Sequence, residues 1–140
     1  MTALVSTLIA ASAAIILVLG LIHLLYTFRG RKLHPRDEGL EARLRAVSPV
    51  ITRQTTMWKA WIGFNASHAF GTILFGSIYG YLAIWHNSFL SQSLFLQLLG
   101  LLLLAGYVVL GKLYWFSIPF RGAVLAIALY SAALVVAWIG

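Results

Sequence analysis

A 140-residue chain with 61% hydrophobic and only 9% charged side chains, and a mean hydropathy of +0.93, lies far from the roughly 25% charged content of soluble domains. A water-soluble globular fold is thereby excluded, and lipid is the expected solvent of a single all-α membrane domain over residues 1–140. The net charge of +7 would suggest nucleic acid in a soluble protein, but all ten Lys and Arg residues fall within 29–59 and 112–121. Flanking apolar runs as they do, these cations predict anionic lipid headgroups, and not nucleic acid, as partners.

The first apolar run extends from about Ala3 to Phe28 and stops at Arg29-Gly30-Arg31-Lys32. No basic residue precedes it and the positive charge follows it, the reverse of a cleaved signal peptide. The run is therefore expected to remain as an anchor with its N-terminus outside the cytoplasm. Ser12, Gly20 and His23 share one helical face, with Thr27 nearby.

The connector 29–56 is too long for a tight turn. Within Pro35–Val47, Leu40, Leu44 and Val47 recur at helical spacing with Arg43 and Arg45 off that face, and Pro49 ends the pattern. This reads either as a short helix lying on the membrane surface or as a solvated connector. Arg29, Arg31, Lys32, Arg43 and Arg45 are the expected headgroup contacts.

The second run, about Met57 to Trp85, exceeds the ~20 residues that cross a bilayer. At 100° per residue, Trp58, Trp61, Asn65, His68, Thr72, Gly76 and Tyr79 fall within an arc of roughly 90°, an aromatic and polar stripe expected to face the interior. The opposite side carries Gly63, Ser67 and Gly71 at four-residue spacing, which predicts close approach of another helix backbone. His86-Asn87-Ser88-Phe89 reads as a turn. The third run, about 93–110, places Gln97, Gly100, Leu104, Tyr107 and Gly111 on one face; the fourth, about 118–139, opens with Pro119 and Arg121 after the aromatic cluster Tyr114-Trp115-Phe116.

Loop charges set the expected orientation. The 29–59 segment holds eight basic and three acidic residues, 112–121 holds two basic residues, and the 86–89 turn holds none. Four crossings with both basic segments cytoplasmic put both termini on the far side, in a bacterial inner membrane. Trp58, Trp61, Tyr114 and Trp115 suit the cytoplasmic aromatic belt, Trp85 and Trp138 the other.

Polar groups are costly in hydrocarbon, so those inside the spans are the candidate site. Asn65 and His68 form its centre, with His23 at a depth differing by about 5 Å at 1.5 Å rise per residue, and Thr72, Trp61 and Tyr79 alongside. Three uses are open: hydrogen bonding between helices, a lipophilic or quinone-like ligand, and b-type haem or metal ligation by His23 and His68. Asn65 is expected to find its partner among Tyr26, His23, Tyr130 and Ser131. No catalytic motif and no intramembrane carboxylate is present, so no catalytic residue is assigned, and the absence of cysteine removes thiol and iron–sulfur chemistry.

The run from Thr55 to Gly71, with its string W-x-G-F-N-x-S-H-x-x-G, together with Tyr79-Gly80-Tyr81-Leu82 and Tyr114-Trp115-Phe116, resembles a family of small uncharacterised four-span bacterial membrane proteins. The resemblance implies architecture and carries no activity or cofactor with it. The expectation is thus an integral membrane four-helix bundle, a scaffold or accessory subunit that either knits its helices through Asn65 and His68 or holds a lipophilic ligand there. Its small faces suit a homo-oligomer or a larger membrane complex. The rival is a haem- or quinone-dependent membrane oxidoreductase using His23 and His68.

Overall fold

A computed structural model describes residues 3–139, and every regular element among them is helical: α1 Ala3–Phe28, α2 Glu38–Ala46, α3 Met57–Trp85, α4 Asn87–Gln92, α5 Leu94–Tyr114 and α6 Ser117–Ile139. Three helices, α1, α5 and α6, are long and apolar enough to cross a membrane. The 29-residue α3 has ample length, but Asn65, Ser67, His68, Thr72 and its glycines dilute its hydropathy and keep it outside that set. The expected third run ends at residue 110, whereas α5 continues to Tyr114. Lys112 does not stop the helix, because a terminal cation can extend along it and complement the helix dipole.

The described residues fall into two compact units. One comprises the described residues of Met1–Leu19 and Thr72–Gly140, the other Gly20–Gly71. The first has a continuous apolar core in which Val5, Ile9, Ala13 and Ile16 of α1, Phe75, Tyr79 and Ala83 of α3, Leu90 of α4, Leu104 of α5, and Ala126, Tyr130 and Ala133 of α6 are buried. Small alanines recur on these faces, the composition expected where helices associate by close packing and not by expelling water. Side-chain hydroxyls then tie the helices to one another's backbones: Ser12 Oγ donates to Ala126 O at 2.7 Å, Tyr79 Oη to Leu96 O at 2.7 Å, and Tyr130 Oη to Gln97 O at 3.2 Å. A peptide carbonyl already engaged within its helix has a second lone pair, so these bonds need not disturb α5 or α6.

The turn expected at 86–89 is instead the start of the six-residue helix α4. Ser93, in an extended conformation, breaks α4 from α5 and caps α5 by accepting from Leu96 N. The terminal carbonyls of so short a helix need partners. Gln97 supplies them, its Nε2 donating to Ser91 O at 2.7 Å and Leu90 O at 3.3 Å while its Oε1 accepts from Trp138 Nε1 at 3.1 Å. Gln97 lies on the buried face anticipated from periodicity, with Gly100, Leu104 and Gly111.

In the second unit, Arg29 N bonds Leu25 O, and Gly30 follows at φ +76, a left-handed ending for α1 that glycine adopts without strain. The connector forms a helix, α2, over Glu38–Ala46. Asp37 caps it through Gly39 N at 2.8 Å, with Glu38 and Glu41 in its first turn and Arg43 and Arg45 in its last, the arrangement that complements the dipole. None of its residues is buried. A backbone bond from Met57 N to Val47 O at 2.9 Å returns the chain to the start of α3.

Candidate functional site

Asn65 is buried on the face of α3 that carries the polar stripe. Its Nδ2 donates to Trp61 O one turn earlier at 2.8 Å, and its Oδ1 lies 3.0 Å from His23 Nε2 of α1. The hydrogen positions follow from what each atom can do. A carbonyl only accepts, so the amide nitrogen must face Trp61 O; the amide oxygen then faces His23, and His23 Nε2 must carry a proton and donate. His23 is in turn met by His68, the rings 5.3 Å apart between centroids and nearly perpendicular at 83°. Thr27 Oγ1 donates to His23 O at 2.8 Å and is buried within its own helix turn. Of the four partners anticipated for Asn65, the structure selects His23.

This geometry suits interhelical bonding better than haem ligation. An iron held between two imidazoles needs both rings aimed at it across the thickness of a macrocycle. Here the rings meet edge to face, and one of the two His23 ring nitrogens, Nε2, is committed to Asn65. Among the described residues no group of three or more His, Cys, Asp or Glu side chains is placed to hold a metal ion.

Other candidates fall elsewhere. Thr72 and Tyr79 are buried but belong to the other compact unit, where the Tyr79 hydroxyl is bonded to Leu96 O. Trp61, expected inside the stripe, is 44% exposed: its indole Nε1 donates to Leu33 O of the connector at 3.1 Å, and that bond draws the ring toward the helix end. The small face requires a correction too. Gly63, Ser67 and Gly71 are exposed, nothing stands within 4 Å of a Cβ built on Gly63, and Ser67 Oγ returns to Phe64 O of its own helix. Once the polar face of α3 is turned inward, its opposite side is left outward, and among the described residues no helix packs on Gly63, Ser67 and Gly71.

A second constellation, unanticipated, centres on Glu41. Its Oε1 accepts from Arg45 at 2.8 and 3.1 Å, and its Oε2 accepts from His34 Nδ1 at 3.0 Å, with Arg31 at 3.9 Å. Arg45 also stacks over the buried Trp58 ring at 4.4 Å, and His34 meets that ring edge-on at 4.8 Å. The Glu41 to Arg45 spacing of four residues was legible as a helical ion pair; His34 comes from irregular chain, where no periodicity announces a contact. Of the expected headgroup contacts, Arg31 and Arg45 thus face carboxylates and Lys32 lies over the Tyr26 ring at 5.9 Å. Arg29 and Arg43 are exposed and have no carboxylate partner among the described residues.

The Arg45 guanidinium, and after it His34, hold the Glu41 carboxyl below its ordinary value of 4.5. A depressed acid stabilises the fold above its unfolded pKa, and the contribution is lost as pH falls through the folded value. The Glu41 contribution to the attachment of α2 is therefore expected to be lost as pH falls below 4.5. The side-chain carboxyl 13C resonance of Glu41 in a detergent-solubilised sample should titrate with a midpoint below 4.5 that rises in Arg45→Gln; a wild-type midpoint at or above 4.5 would contradict the assignment.

The chain matches no family model, no curated protein and no solved structure.

Proposed function

We propose that the chain is a multi-pass protein of a bacterial inner membrane that acts as a non-catalytic helical scaffold or accessory subunit. In this reading α3 is a fourth crossing beside α1, α5 and α6, the basic segments 29–59 and 112–121 lie in the cytoplasm, and both termini lie outside it. Three apolar helices and the gathering of all Lys and Arg residues into two segments support it, through the bias of cytoplasmic loops toward cations.

The observation that carries the scaffold reading is the satisfaction of buried polar groups from within. Among the described residues, no buried side-chain nitrogen or oxygen lacks a hydrogen-bond partner, and both ends of the Asn65 amide are engaged. A pocket built for a polar ligand headgroup keeps convergent donors or acceptors unspent for it; here they join helix to helix. Native mass spectrometry of the detergent-purified protein should accordingly give the mass of the polypeptide, with lipids in variable number only. A quinone, haem or single lipid at fixed stoichiometry, lost in Asn65→Leu, would replace the scaffold reading with the ligand-binding one.

A further inference from the structure

Between α2 and α3 the chain makes a closed loop. Its neck is the bond from Met57 N to Val47 O, and its tip is a turn in which Thr52 N donates to Pro49 O at 3.2 Å, braced by Gln54 N to Thr52 Oγ1. The two central positions of that turn, where Asp, Asn, Ser or Gly are usual, hold Val50 and Ile51. They are 109% and 91% exposed, the most exposed large hydrophobics among the described residues. Two adjacent β-branched side chains at the apex of a loop find nothing to pack on among the described residues, and an apolar feature so presented marks an interaction site.

We infer that this tip inserts into the headgroup and acyl boundary of an anionic membrane leaflet, with Arg53, Arg43 and Lys59 on the surrounding phosphates. The inference rests on the membrane reading above. Charge favours a phosphate-rich surface: these three cations are exposed, no acidic residue occurs anywhere from 42 to 140, and the carboxylate pairs formed among the described residues all involve Arg31, His34 or Arg45. Reach favours the same leaflet. The neck stands at Met57, where α3 begins, and three residues of extended chain span at most about 10 Å. That matches the 5–10 Å to which apolar groups bury at an interface. A tip so tethered is held beside its own bilayer.

The cysteine-free sequence permits a direct test. Nitroxide labels are placed on Val50→Cys, Ile51→Cys, Gln54→Cys and Phe70→Cys in the full chain, reconstituted into phosphatidylcholine vesicles with and without phosphatidylglycerol. Collisions with oxygen are then compared with collisions with a water-soluble nickel chelate. Labels at 50 and 51 should show an oxygen-to-nickel ratio severalfold above that at 54 when phosphatidylglycerol is present, falling when it is omitted or in an added Arg53→Gln change. Labels at 50 and 51 as wet as at 54, with 70 in lipid, would overturn the insertion and leave the membrane reading standing; a wet label at 70 would overturn both. Equal shielding in both lipids would remove the anionic leaflet as the partner, and spin–spin broadening that vanishes on dilution with unlabelled chain would assign the tip to a second copy instead.

Discussion

Gly76→Ala is expected to cost on the order of 3 kcal/mol, at the upper end of what overpacking a helix contact exacts, and to lower the melting temperature in detergent more than alanine at Gly100, Gly63 or Gly106. A Cβ on Gly76 of α3 would stand 2.7 Å from Ala13 O and 2.8 Å from the Cα of Leu17, both backbone atoms of α1. No rotamer change relieves a clash with backbone; the helices must separate, and Ile9, Ala13, Phe75 and Tyr79 lose packing together. At Gly100 the obstacle is different in kind. A Cβ there would meet Tyr130 Cζ at 2.7 Å and Tyr79 Cε1 at 2.8 Å, with the Tyr130 hydroxyl nearer still. Rings can tilt, but tilting Tyr130 strains its bond to Gln97 O, so Gly100→Ala should cost about 1–3 kcal/mol. Gly63 and Gly106 have nothing within 4 Å, and alanine there should be neutral or gain up to about 1 kcal/mol of helix propensity. Reversible unfolding from detergent into denaturant would rank the four. Gly76→Ala as stable as Gly63→Ala would mean that α1 and α3 do not cross at that glycine.

Much of this was legible in advance, for a reason visible at particular residues. A helix in lipid is bounded by charge and its faces are sorted by polarity, so the close of α1 at Phe28 can be read from where Arg29 interrupts the apolar run. The inward side of Asn65 and the shared face of Gln97, Gly100, Leu104 and Gly111 follow from helical periodicity, whereas periodicity left the Asn65 partner open between the first and the fourth apolar run. What escaped was whatever depends on irregular chain or on competing bonds. The helix α4 closes on bonds from the Gln97 side chain and the Ser93 backbone N–H to its last carbonyls, and neither residue's bonding is written in a period. Trp61 left the stripe for Leu33 O, and His34 reached Glu41 across the connector. The face of Gly63, Ser67 and Gly71 has the spacing of a helix contact, but spacing says only that a backbone can approach, not that this chain supplies one.

Asn65→Leu should destabilise the detergent-solubilised protein by about 1 kcal/mol, the net worth of a side-chain hydrogen bond, because the half-buried His23 loses the acceptor for its Nε2 proton. His23→Phe keeps an aromatic ring beside His68 and orphans only one acceptor on Asn65, a lesser fault than an orphaned donor. The double variant carries neither orphan, so its loss should fall short of the sum of the two singles by about 1 kcal/mol, within the range seen for polar pairs in membrane helices. Ser67→Ala is the control on the same helix: its hydroxyl serves only Phe64 O and is exposed, and stability should be unchanged. The coupling bears directly on function, since a residue retained to receive a ligand would be worth little to the folded chain in the ligand's absence, whereas one that fastens α1 to α3 is worth most there. Additive losses from the two single variants would show that the 3.0 Å contact contributes no binding between the helices, and the scaffold reading would lose the observation on which it stands.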